Sequence, residues 1–117
     1  MRKRSPRTKL FIKKYIEEFN PKNPSIEVME LLNNTKLPSS SYLNTSTRGK
    51  NINELSLDQL EYVAYNLKNG SEKMKLICRL RFLCKLYNDR EEEGITEKEF
   101  DSIMEDEFKK ENDEIDF

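Results

Sequence analysis

The chain has 117 residues, room for one hydrophobic core but not two. Charged residues make up 37% of it and glycines number only three, a composition that suits helices and starves tight-turned sheets. There is no histidine, which removes the commonest general base, the commonest metal ligand and every Ser-His or Cys-His pairing.

The net charge of −1 conceals a polarity. Residues 1–14 carry seven Arg or Lys and no acid, whereas residues 89–117 carry fourteen acids against four bases. Arg2, Lys3, Arg4, Arg7 and Lys9 crowd into a basic arm over residues 1–9. Such an arm has the chemistry to neutralise phosphates with release of counterions, a solubilising terminus being the plain alternative. Charges interrupt the apolar residues that follow, so neither a signal peptide nor a membrane span is expected, and a cytoplasmic, reducing location is.

Ser5 and Pro6 signpost a first helix, with Phe11, Ile12, Tyr15, Ile16 and Phe19 on one stripe. Asn20-Pro21 ends it, because a residue before proline avoids the helical region. Asn23-Pro24 restarts a short helix through Ile26, Val28, Met29, Leu31 and Leu32. From Thr35 to Leu55 periodicity dissolves. A polar connection of that length inside one domain is either functional or mobile, with Leu37, Tyr42 and Leu43 expected to tack it to the core. Its Arg48 and Lys50 would add phosphate contacts if the loop lay beside the arm.

The third helix opens on a capping box, Ser56 and Gln59, stapled by Leu55 and Leu60. Its buried face is Leu60, Val63, Ala64 and Leu67, and Gly70 supplies the left-handed cap. Ser71 starts the fourth helix, 72–87, on which Leu76, Ile77, Leu80, Leu83, Cys84 and Tyr87 fall within about 120°. Met74, Cys78, Phe82 and Leu86 form a second apolar ladder, bordered by Lys75, Arg79, Arg81 and Lys85. A helix apolar on two sides is either central to its own domain, with the first helix covering the second ladder, or half of an interface with a partner or a second copy. On one helix Cys78 and Cys84 stand ~9 Å apart, too far for a disulfide, and read as reduced packing residues. A fifth helix opens on Thr96 and Glu99, stapled by Ile95 and Phe100, and buries Phe100, Ile103, Met104 and Phe108. The acidic stretch 111–117 is too polar to pack and is expected to be disordered.

The segment RLRFLCKLYNDREEEGITEKEF resembles an EF-hand: an apolar helix ending in Leu86-Tyr87, a twelve-residue loop from Asn88 to Glu99, then Phe100. Ile95 stands at the eighth position and Glu99 at the twelfth, as in that family. Asn88 replaces the first aspartate, Arg90 occupies the third position, and Glu93 replaces the sixth-position glycine, with Gly94 one place late. A positive charge in the ligand ring and no glycine at the sharp turn imply a degenerate hand without calcium. Glu97, Asp101 and Glu105, four apart, read as a solvated acidic face rather than a catalytic or metal-binding set.

These readings combine into an all-α fold: a single compact domain of five helices over residues 10–110, with the fourth helix central. No cofactor and no catalysis are expected. The function expected is that of a regulatory or interaction module for a protein partner or a second copy, with nucleic-acid association through the arm and loop 48–50 as the second reading. The bias toward Asn, Lys, Ile and Glu is that of AT-rich genomes and of short viral or mobile-element products.

Overall fold

The computed structural model describes Pro6, Leu10, residues 12–16 and residues 19–114, except for the side chains of Ile12, Ile16 and 108–114. Five helical segments make up most of this. They are α1 (Ile12–Ile16, a single π turn), α2 (Ile26–Asn33), α3 (Leu57–Glu61, continued by a π turn over Tyr62–Asn66), α4 (Glu72–Asn88) and α5 (Glu97–Glu114). There is no strand among the described residues; one isolated antiparallel bridge joins Lys36 and Asn51.

The helix starts follow the local chemistry of the sequence. Ser56 accepts from the Gln59 N–H while Gln59 Oε1 accepts from the Ser56 N–H, and Thr96 and Glu99 repeat the exchange. Ser25 and Ser71 cap α2 and α4 by accepting from Val28 and Met74. Each such cap satisfies a donor that the first helical turn leaves without a partner, worth ~1 kcal/mol. The residues flanking the boxes pack as the pattern requires: Leu55, Leu60 and Phe100 are buried and Ile95 half-buried.

α4 lies at the centre, in contact with α2, α3 and α5 and with a short 3-10 turn at Ile52–Glu54. Its Met74, Leu76, Ile77, Cys78, Leu80, Leu83, Cys84 and Leu86 are all buried. The second ladder is thus mostly core. Its cover comes in part from residues other than the first helix: Tyr65 of α3 meets Phe82 edge-on at 5.7 Å, and Met74 and Tyr42 close over Gly70. A Cβ on Gly70 would stand 2.8 Å from the Met74 methyl, and with φ at +96° the position demands glycine twice over.

Three expectations need correction. α3 does not run as one α-helix to Leu67, since the Leu67 N–H reaches back five residues to the Tyr62 carbonyl at 2.9 Å. Ile26 and Met29 lie outside the core, Ile26 being 76% exposed. A two-turn helix has one narrow buried side, taken by Val28 and Leu32, and Ile26 points about 160° away from Val28. α5 continues to Glu114, past Lys110 where disorder is expected to begin. The 35–55 connection is attached at Leu37 and Leu43 as expected, and Thr47, Ile52 and Leu55 build it further into the core. Its two ends pair, Leu37 N–H to Lys50 O at 2.9 Å and Ile52 N–H to Thr35 O at 3.1 Å, so its backbone polar groups stay satisfied without regular structure. The Ser5-Pro6 start and the tail 115–117 lie outside the described residues, apart from Pro6 itself.

Candidate functional site

A groove of about 560 Å³ opens between α3, α4 and α5. α4 contributes Phe82 and Leu86, one turn apart; α3 and its π turn contribute Leu57 and Tyr65; Ile95 comes from the 89–96 connection and Ile103 from α5. These six side chains make an apolar lining. The π turn matters here because one extra residue in the turn shifts everything beyond it around the helix axis, and Tyr65 and Asn66, both within it, line the groove.

The remaining lining residues besides Asn66 are acidic: Asp58 and Glu61 on α3, Glu93 in the 89–96 connection and Glu107 on α5. Among the described side chains, no lysine or arginine lines the groove. Arg79 contacts two of the lining residues, with its guanidinium 5.1 Å above the Tyr65 ring and 3.7 Å from Glu107. Burial first, and the Glu107 carboxylate second, raise the Tyr65 phenol pKa above its usual value, so the hydroxyl stays protonated. The site is an apolar trough with carboxylates on both banks.

The sequence-predicted interface residues fall out differently from that trough. Met74 and Cys78 are enclosed by the domain itself, while Phe82 and Leu86 reach the groove. The basic border is largely engaged within the fold: Lys85 pairs with Asp89 at 3.0 Å and Arg79 with Glu107, while Arg81 lines a separate cleft beside Pro21–Pro24 and Lys75 is half-buried. Sequence periodicity singles out Phe82 and Leu86 but not Leu57, Tyr65 or the acidic banks, which no spacing rule connects.

Of the candidate phosphate contacts, Arg2, Lys3, Arg4, Arg7 and Lys9 lie outside the described residues. Arg48 is occupied: its Nε donates to the Leu43 carbonyl at 2.7 Å and its terminal nitrogen to Ser41 O at 3.1 Å, stapling the loop. Lys50 is exposed. Glu97 and Asp101 are spanned by Lys22, whose ammonium lies 2.8 and 2.9 Å from the two carboxylates and joins the N-terminal segment to α5. Those two carboxylates, Glu97 first, raise the Lys22 pKa.

The loop that resembles an EF-hand has other engagements for its ligand positions. Asn88 is still in α4, and Arg90 stacks on the Tyr87 ring at 4.1 Å while donating to the Tyr87 carbonyl. Glu99, the twelfth position, is turned back onto the Thr96 N–H and hydroxyl. No three acidic or cysteine side chains among the described residues converge in a way that could hold a metal ion. Millimolar calcium should therefore move neither the melting temperature nor the amide resonances of residues 88–99, and a saturable shift there would restore the EF-hand reading.

Burial alone pushes the Cys78 thiol up to about 12; Cys84 is raised to about 11 by burial, with Arg81 pulling the other way. Both are protonated packing groups rather than nucleophiles at neutral pH. No helix among the described residues is long and apolar enough to cross a membrane. No family model matches the chain, and neither a curated protein nor a solved structure does.

Proposed function

We propose that the chain is a non-catalytic interaction module that holds a segment of a protein partner in the groove between α3, α4 and α5. The observation that carries this reading is the apolar lining itself: Leu57, Tyr65, Phe82, Leu86, Ile95 and Ile103 converge at an open surface instead of closing over one another. Aromatic and aliphatic anchors at the centre of a surface depression, with a polar rim, are the common make-up of protein-binding sites. A volume of this size takes a few side chains of a partner.

The test is capture from native extract, with and without nuclease, using the parent chain and two groove variants, Phe82→Glu and Ile103→Glu. Both side chains are half-buried at the groove, so a carboxylate there reaches water and each variant should keep a cooperative melt. The expected result is a protein that survives nuclease with the parent and is lost with both folded variants. Retention by both folded variants removes the groove from the function. Loss on nuclease treatment transfers the function to nucleic-acid association and the basic arm.

A further inference from the structure

We infer that the occupant of this groove is a basic amphipathic helix of a separate partner protein, one whose apolar stripe is flanked by lysine or arginine. The inference rests on the docking reading above and adds the chemistry of the partner. Three observations lead to it. The first is charge: Asp58, Glu61 and Glu93 are exposed and the described side chains of the lining include no base, while Glu107 shares its charge with Arg79. A segment entering with acids or phosphates would be repelled from both banks, whereas one entering with bases is drawn in and held in register.

The second is shape. Phe82 and Leu86 are one helical turn apart, ~6 Å along α4, and an occupant helix repeats its own i and i+4 side chains at the same interval. Three helices border the groove, and among the described residues no strand offers an edge to which an extended peptide could add. Helix-in-groove docking is the recognition mode that this one-turn spacing between three helices fits.

The third concerns the chain's own bases. Lys22 is held by Glu97 and Asp101, which lie about 120° around α5 from Ile103 and Glu107. The lysine that ties the N-terminal segment to α5 does so on a different flank from the groove, leaving the groove's carboxylates unneutralised by it.

Two labelled peptides test the inference by fluorescence anisotropy with the full chain. Both are about 18 residues long with leucine at helical i, i+3, i+4, i+7 spacing, one with a lysine polar face and the other with a glutamate polar face. The lysine peptide should bind at least about tenfold more tightly than the glutamate peptide, and more weakly as salt rises. Asp58→Lys/Glu61→Lys should weaken the lysine peptide by about tenfold or more, whereas Glu30→Lys/Glu54→Lys, an equal change of net charge on other elements, should leave it within about twofold. Equal losses in the two double variants would reduce the effect to general attraction and overturn the assignment. Equal binding of both peptides, with loss in Phe82→Glu, would leave the groove as a docking site and overturn its preference for bases. Self-association of the parent chain that Asp58→Lys/Glu61→Lys abolishes would make a second copy the occupant and overturn the separate partner. Binding of neither peptide, with nuclease-resistant capture still dependent on Phe82 and Ile103, would overturn the basic helix and leave the docking reading standing.

Discussion

Phe100→Ala should cost about 3–5 kcal/mol, a large part of the ~5–15 kcal/mol that holds a domain of this kind together. Phe100 is fully enclosed, and its ring packs against Tyr87 of α4 with centroids 5.0 Å apart. It sits four residues after the Thr96 cap, so the same side chain closes the first turn of α5 against Ile95 and docks α5 onto α4. Removing the ring leaves a cavity that Tyr87 cannot fill, because Arg90 already stacks on that tyrosine at 4.1 Å. Urea unfolding should show a lower midpoint with an unchanged slope. A loss below about 1 kcal/mol would mean that α5 is not held to α4 by this contact.

Leu43→Asp should prevent stable folding, although position 43 lies in the longest stretch without helical periodicity. Leu43 is 2% exposed, and the Arg48 guanidinium clamps its carbonyl, so the side chain cannot swing to water without releasing the loop. A carboxylate there is either buried unpaired or must take up a proton, and either course costs several kcal/mol. Thr45→Asp, exposed in the same loop, supplies the comparison and should melt with the parent. Circular dichroism and a thermal melt separate the two. A Leu43→Asp protein melting within about 2 °C of the parent would show that the connection is not part of the cooperative unit.

The loop illustrates why some of the fold is not legible along the chain. Periodicity reports a residue's side of a regular helix, and residues 35–55 form no long helix, so their buried set of Leu37, Leu43, Thr47, Ile52 and Leu55 has no repeat to betray it. Leu37 and Leu43 are foreseeable as isolated apolar residues in a polar stretch. Arg48 is not, because whether a guanidinium meets a phosphate or two carbonyls of its own loop depends on where the chain turns back. Its assignment as a phosphate contact and its place as a staple use the same hydrogen-bonding groups, and only the path of the backbone chooses between them.

What the sequence by itself determined are the features made by bonds between near neighbours. The Ser56–Gln59 and Thr96–Glu99 boxes, the Ser71 cap and the glycine turn at Gly70 all close within three or four residues or within one residue's own dihedral angles. The all-helical class and the central α4 follow from the same short-range regularities, since a helix apolar on two sides has to be covered twice. The tertiary structure alone decided what covers each side. It put Met74 and Cys78 inside, left Phe82 and Leu86 at an opening, and brought acids from positions 58, 61, 93 and 107 around them. Those carboxylates are up to 49 residues apart along the chain. They share a rim only because α3 and α5 dock on the same helix, and docking is settled by the fit of whole packed faces rather than by any pair of residues in sequence.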